Sequence, residues 1–542
     1  MHDAVALSAP NKEHSTRLIA IVYASTPALA ETLLASGSGL LLVLSFPDFD
    51  LSFLAWFGLV PLILATSTTD KSAKAFLLGL LWGSIFFYGT CWWLTYPMIY
   101  YARVSHDGHI PAWLAYLLLL LPVLFVALFP ALFCLLLFRV IRRFGLAAIF
   151  IAPLLWVSVE WIRYTITGLA WNAIGYSQAF HSLLIQTARW GGVYAVTFLM
   201  LAVNTTFAFV ILRRGRRSLF VGAIVLLGAM LSILASSYDL NRERPKADPN
   251  IETLIIGVQP NVPMEEIDEV TSGRLLEQHL QLSNQALSAP PNTSWSHRVV
   301  IWPESPMNFS YSRDQHLRQV VADFARNNQT AVLLNSLEPA AEGGEYNSAI
   351  VVNQEGQKIA QYDKIRLMPF GEYVPLPRWL PGASSVRAIV GEFKPGSSYT
   401  LMPLGDLRAG VFICIEAAHP SVARAFANEG ADMLINISND GYLGPTPVMR
   451  QHLANAIFRA VENNRPLIRV TNAGISAYIS STGSVRDATP AFQQAVRTWT
   501  ISKDADITTF YSRHGDLFAY ASALISLGIV SATFMSRKTA LS

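Results

Sequence analysis

The sequence predicts an α-helical membrane bundle of about eight transmembrane helices that carries one soluble α/β domain. Two observations carry that expectation. Apolar runs of about 20 residues, the length that crosses a hydrocarbon core, recur through the first half of the chain and once near its end. Between them, from Leu254 to about Ile501, the pattern shifts to short β-branched strands alternating with amphipathic helices. The bulk numbers agree: of 542 residues 52% are hydrophobic and 14% charged, and mean hydropathy is +0.36.

The spans fall near 26–45, 52–67, 75–96, 112–138, 146–163, 189–212, 217–237 and 515–536, the first two being the weakest. The first twenty-odd residues are mixed polar, so targeting is expected from the spans and not from a cleavable signal. Threaded alternately, the spans put Lys12, Arg17, Lys71, Lys74, Arg139, Arg142, Arg143, Arg213, Arg214, Arg216, Arg217, Arg537 and Lys538 on one side, which marks it as cytoplasmic. The opposite short loops carry little beyond Arg103, Arg163 and Arg189. The expected division is therefore a bundle of seven spans over 1–237, an extracytoplasmic domain over 238–512, and a last helix with a cytoplasmic tail over 513–542.

Within the soluble domain the expected strands are 254–259, 298–304, 331–336, 407–414, 432–438, 466–471 and 475–480, with a hairpin after 346 and helices near 265–288, 314–328 and 447–463. They suffice for a layered sandwich. Three reactive side chains follow strands, at the edge where crevices form in α/β folds: Glu304 in WPE, Lys364 in DKIRLMPFGEYVP and Cys414 in FICIE. A thiol needs a base to become a thiolate and a cation to stabilise it, and a carboxylate with an ammonium supplies both. The trio suffices chemically for acyl transfer.

Its order resembles that of the nitrilase, or carbon-nitrogen hydrolase, superfamily, which implies a nitrilase-like αββα sandwich. The signatures WPES, K-x-x-L-x-P-F-G-E-Y-V-P, C-x-E and SNDG-x-x-G, joined by E-W-x-R-x-x-x-x-G-x-x-W-x-x-x-GYSQ from Glu160 to Gln178, sharpen the resemblance to its membrane-bound branch, apolipoprotein N-acyltransferase. That resemblance covers essentially the whole chain. It implies Cys414 as nucleophile, Glu304 as general base, and Lys364 with the Ile415 amide as the oxyanion hole. Glu372 and Glu416 match two supporting carboxylates, while Phe370, Asn439 and Tyr442 fall in loops expected to contact substrate or form a lid, across 365–398 and 439–449. The implied reaction is ping-pong: a phospholipid acylates Cys414, and the α-amine of a diacylglyceryl-cysteine on an apolipoprotein takes the acyl chain. The implied location is the bacterial inner membrane, with the catalytic domain on the periplasmic side. No cofactor is implied. The chain departs from the family pattern at Ile415, where an aromatic is usual, at Tyr442, where Trp is usual, and at Asp268.

Competing readings remain beside these. A membrane-tethered amidase, or a pseudoenzyme that binds lipid or lipoprotein, would share the architecture. Cys414 alone reads as a core thiol and Lys364 alone as a surface charge. Glu372 and Glu416 read equally as loop ion-pair partners, and Glu160 with Arg163 as a packing ion pair inside the bundle. His419 and His452 lack the context of a Cys-His dyad, and no His or Cys pair has metal-ligand spacing. Trp92, Trp93, Tyr100 and Tyr101 read as an interfacial belt. A net charge of +3 and the absence of basic stretches interleaved with aromatics leave no nucleic-acid surface.

Overall fold

The computed structural model describes residues 26–100, 103–105, 108–242, 252–264, 267–288, 295–304, 306–374, 393–503 and 507–535. Lys12, Arg17, Arg537 and Lys538 of the charge pattern, and 375–392 of the expected lid, lie outside the described residues.

The N-terminal region folds into α1 (Leu29–Leu44), α2 (Val60–Thr68), α3 (Ser72–Cys91), α4 (Thr95–Tyr100), α5 (Ala112–Phe144), α6 (Ala152–Thr167), α7 (Ala188–Leu212) and α8 (Arg216–Arg242). Among the described residues, five stretches are long and apolar enough to cross a membrane: Ser72–Tyr100, Ala112–Phe144, Leu146–Thr167, Ala188–Leu212 and Arg216–Tyr238. Leu29–Leu44, Ser52–Thr68 and Leu517–Ala532 are apolar but shorter. The second expected span is broken, with a 3₁₀ turn over Ser52–Trp56 before α2. Asn204 of α7 heals the break, accepting from the Leu59 N–H at 2.9 Å and donating to the Ala55 carbonyl at 3.0 Å; buried, broken backbone is tolerated when a neighbouring helix satisfies it in this way. The α3–α5 contact depends on small residues. A methyl group on Gly83 would lie 2.6 Å from Pro130 Cγ and 2.8 Å from Ala127 Cα, so the helices can approach this closely only at glycine.

Glu160 and Arg163 do not form the expected ion pair. Glu160 accepts from the Ile174 N–H at 2.9 Å, while Arg163 donates to the Trp171 carbonyl at 2.8 Å and lies over the Phe87 ring. Both pin the 171–174 segment that leads out of α6.

The soluble domain is an αββα sandwich. Its strands are β1 (Glu252–Gln259), β2 (His297–Ile301), β3 (Ala331–Pro339), β4 (Glu345–Val352), β5 (Lys358–Asp363), β6 (Leu401–Leu404), β7 (Leu407–Ile413), β8 (Met433–Ser438), β9 (Leu467–Thr471), β10 (Ala477–Ile479), β11 (Val485–Arg486) and β12 (Ala495–Ser502). One sheet runs β12-β1-β2-β3-β4-β5 and the other β11-β10-β9-β8-β7-β6. Each has a parallel centre, β1-β2-β3 and β7-β8-β9, flanked by antiparallel strands. The two-residue period sorts the side chains. Ile255, Val299, Ile301 and Leu333 join the core between the sheets, and Leu254, Ile256, Val300 and Val332 face α9 (Glu269–Leu287) and α10 (Gln315–Asn328).

The second sheet is covered by α11 (Pro420–Asn428) and α12 (Val448–Asn463). Every residue of α12 except Arg450 is buried, because the helix packs on β9 and β10 on one side and on α7 of the bundle on the other. After β12 the chain returns through α13 (Phe510–His514) to α14 (Leu517–Ala532), which packs on α6 and α7. One continuous apolar cluster runs from Ala35 through the sheets to Ala519. The bundle and the domain thus share a core.

Candidate active site

Cys414 follows β7 directly, with φ of 51°, and opens a 3₁₀ turn over Cys414–Ala418. A non-glycine residue in the left-handed region costs on the order of 1 kcal/mol, and the surrounding bonds fix it there. The Cys414 carbonyl lies 3.0 Å from His452 Nε2 and accepts from Asn436 Nδ2 at 3.4 Å. His452 Nδ1 lies 2.9 Å from Asp440, which Arg469 holds at 2.6 Å, and all three side chains are buried. His452 therefore faces the nucleophile's carbonyl and not its sulfur. The Cys414 Sγ lies 3.9 Å from the Tyr442 hydroxyl. Burial, with the Glu304 carboxylate, pushes the thiol up to about 12 against the lowering effect of Lys364.

Lys364 follows β5 and is almost fully enclosed. Its ammonium sits 2.9 Å from Glu372 and 3.6 Å from Glu304. Burial opposes the charge, yet these two carboxylates hold the lysine well above its usual range, so it is a fixed cation. Asn347 Nδ2 donates to both carboxylates, at 2.9 Å to Glu304 and 2.7 Å to Glu372, and Asn335 orients it by donating to its Oδ1 at 2.7 Å. The second Glu304 oxygen accepts from the Asn439 N–H at 3.0 Å. The structure thus brings Glu304, Lys364, Glu372, Asn439, Tyr442 and Cys414 to one group of strand ends.

Glu416 has a different position. Its Oε1 accepts from the Tyr362 hydroxyl at 2.8 Å and from the N–H groups of Ile365 and Arg366 at 2.9 and 3.0 Å, and its Oε2 accepts from the Ile413 N–H at 2.8 Å. It braces the loop that carries Lys364 against the turn that carries Cys414. Ile415 is buried in that turn. Phe370 is exposed at φ of 60°, its N–H bonded to the Tyr373 carbonyl at 2.7 Å. The 439–449 segment is mostly buried and packs Gly444 on the Tyr96 ring of α4, so it forms a wall of the site. Asp268, one of the noted departures, is the N-cap of α9 and accepts from the Thr271 N–H at 2.8 Å.

Asn335, Asn347, Asp440 and Arg469 are not singled out by the sequence, and His452 figures there only as half of a Cys-His dyad that its context does not support. The available signal was polar side chains interrupting β-branched strands, as in AVLLNS, YNSAIVV and PLIRVT.

A sandwich of this order, with a glutamate, a lysine and a cysteine meeting at its strand ends, defines a domain of the carbon-nitrogen hydrolase class. Residues 271–506 match the family described as Carbon-nitrogen hydrolase, and residues 38–206 match the Apolipoprotein N-acyltransferase N-terminal domain. An apolipoprotein N-acyltransferase of Geobacter metallireducens is 33% identical over 94% of this chain and 96% of its own. One of Rhizobium etli is 31% identical over 84% and 86% respectively. A carbon-nitrogen hydrolase structure from Helicobacter pylori aligns with a TM-score of 0.35 at 18% identity, over 46% of this chain and 89% of that one. The chain belongs to the apolipoprotein N-acyltransferase family, and it is an acyltransferase.

Proposed function

We propose that the enzyme moves a fatty acyl group from a membrane phospholipid, through a thioester on Cys414, to the α-amine of the diacylglyceryl-cysteine at an apolipoprotein N-terminus. The observation that carries this reading is an enclosed thiol beside a carboxylate and a fixed ammonium, in a domain whose core continues into a membrane bundle. A thiol held up at about 12 does not ionise unaided near neutral pH. Glu304 therefore takes its proton as sulfur attacks the ester carbonyl, with Lys364 and the Ile415 amide stabilising the oxyanion. Collapse expels the lysophospholipid alkoxide, which leaves with that proton, and the acyl chain stays on sulfur. The lipoprotein amine then attacks the thioester, Glu304 takes the amine proton, and the thiol is restored. The division into a 1–237 bundle, an extracytoplasmic 238–512 domain and a 513–542 anchor belongs to the same reading, supported by the one-sided Lys and Arg pattern.

The test is incubation of the purified enzyme with phospholipid alone. One acyl chain should add to the intact mass as a hydroxylamine-labile thioester, and Cys414→Ala should abolish it. Release of free fatty acid at the same rate with and without a diacylglyceryl-cysteine peptide would identify a tethered hydrolase and refute the transfer reading.

A further inference from the structure

A cavity of about 540 Å³ opens where the bundle meets the catalytic domain, lined in part by the loop that leads from Lys364 to Glu372. Its floor is Leu169 and the end of α6, where the span Leu146–Thr167 finishes. Apolar side chains such as Leu367 and Phe393 form the walls, Arg366 and Lys394 supply cations, and His419, Thr167 and Tyr373 add an imidazole and two hydroxyls. Among the described residues, no Asp or Glu lines the cavity. Arg366 and Lys394 are exposed, and among the described residues neither side chain forms a hydrogen bond or ion pair. Burial and the neighbouring Arg366 hold the His419 imidazole down to about 3, so it offers hydrogen bonding and no charge.

A guanidinium and an ammonium left unpaired on apolar walls suit an amphiphilic anion, and a phosphodiester offers the guanidinium two acceptors at once. The volume is in the range of pockets for small organic ligands. The position adds a constraint, because the floor is the end of a membrane helix, which is the depth of lipid headgroups and not of bulk solvent. Through Glu416 the same walls are tied to the reacting groups: the N–H groups of Ile365 and Arg366 bond to Glu416, two residues beyond Cys414. We propose that this junction cavity holds the phosphodiester headgroup of a glycerophospholipid, with Arg366 and Lys394 as its ligands. It is a recognition site for the acyl donor, and it rests on the reading that the donor is a phospholipid.

The test separates binding from transfer. Full-length Cys414→Ala protein in detergent is titrated with fluorescent phosphatidylglycerol, alone and with Arg366→Ala/Lys394→Ala added. The double change should weaken binding by about tenfold, as expected for losing charged ligands of one phosphate. Arg366→Lys/Lys394→Arg, which keeps both charges, should restore most of it and controls for folding. Equal affinity with and without the two cations would overturn the cavity assignment. So would competition by millimolar inorganic phosphate as strong as that by lysophosphatidylglycerol, since the site would then recognise free phosphate. With Cys414 present, the double alanine variant should lose more rate with phosphatidylglycerol than with p-nitrophenyl octanoate, which carries no phosphate; equal losses on both also count against it. If the lipid binds through these cations yet never acylates Cys414 in the otherwise unaltered enzyme, the cavity stands and the donor reading falls.

Discussion

Glu416→Gln is the change whose effect can be worked most directly from the geometry. The carboxylate accepts four hydrogen bonds, three on Oε1 from Tyr362, Ile365 and Arg366 and one on Oε2 from Ile413. An amide has a single acceptor. If its oxygen takes the Oε1 position, its NH₂ faces the Ile413 N–H and one buried donor is stranded, at roughly 1 to 3 kcal/mol. The three remaining bonds lose their charge assistance, at roughly 1 kcal/mol each. The gross loss of roughly 4 to 6 kcal/mol is offset in part because a buried charge is no longer desolvated, leaving roughly 2 to 4 kcal/mol. The cost falls on the brace between the Lys364 loop and the Cys414 turn, so acylation of Cys414 should drop together with the midpoint of thermal unfolding. Tyr362→Phe removes one donor of the four and should show a fraction of both effects, which makes the series graded. Unfolding temperature and intact-mass acylation rate are the assays. A glutamine variant with wild-type values for both would show that Glu416 does not brace the site.

Glu304→Gln should leave the fold intact and slow Cys414 acylation on the order of 100- to 10,000-fold, the usual worth of a general base, and Lys364→Met should cost roughly 3 to 4 kcal/mol of transition-state stabilisation; single-turnover rates near wild type for either would remove that residue from the mechanism. His279 is buried against Trp302 and Phe309, and burial holds its pKa down to about 4 from 6.5. The unfolded chain binds the extra proton between those values, so the stability is fully present above pH 6.5 and is lost as pH falls to about 4, by about 3 kcal/mol. His279→Phe should flatten this acid sensitivity in urea unfolding across pH 4 to 7, and an unchanged slope would exclude His279 as its source. For topology, a cysteine introduced at Ser288 should react with an impermeant thiol reagent in intact spheroplasts and one at Ser542 only after permeabilisation; the reverse pattern means the domain faces the cytoplasm.

The elements that sequence patterning located are those whose neighbours repeat the same demand along the chain. β8 and β9 are buried at every position and read as apolar runs broken chiefly by Asn436 and Arg469, and α10 has a clear apolar stripe. β6, β11 and β12 lacked such a signal. β6 carries a proline within four residues, β11 has only two residues, and β12 lies on a sheet edge, is half-buried without alternation over its first three residues and alternates exposed with buried positions only from Thr498 to Ile501. Cys414, Lys364 and Glu304 were legible because each follows a strand within a short motif. Asn335 and Asn347 were not, because their task is to aim two carboxylates that come from elsewhere in the chain. Glu416 was visible as a residue but not as a brace, since three of its four donors, Tyr362, Ile365 and Arg366, come from a segment some 50 residues away.

The junction between bundle and domain was the least legible part, because α12 reads in sequence as an ordinary polar helix and is buried on all sides. Its polar groups are spent on both neighbours. Gln451 accepts from the indoles of Trp93 and Trp171 at 3.1 and 2.9 Å and donates to the Thr90 carbonyl at 3.0 Å. Arg459 donates to Tyr176 at 3.1 Å and to the Ala417 carbonyl at 3.3 Å, within the nucleophile turn. Glu462 accepts from the Val193 N–H at 3.1 Å, just after the Gly191-Gly192 kink in α7 where no helical partner is in place. These bonds and the apolar face of α12, with Phe458 packed edge-on against Tyr176 at 4.8 Å, have no substitute once the bundle is removed. A fragment spanning 238–512 should therefore expose a large apolar patch beside stranded polar groups, and aggregate or stay molten where a soluble domain of its class would fold. Light scattering and near-UV circular dichroism of the fragment decide it. A monomer that unfolds cooperatively and still presents a reactive Cys414 would mean that the bundle anchors the domain without completing its core.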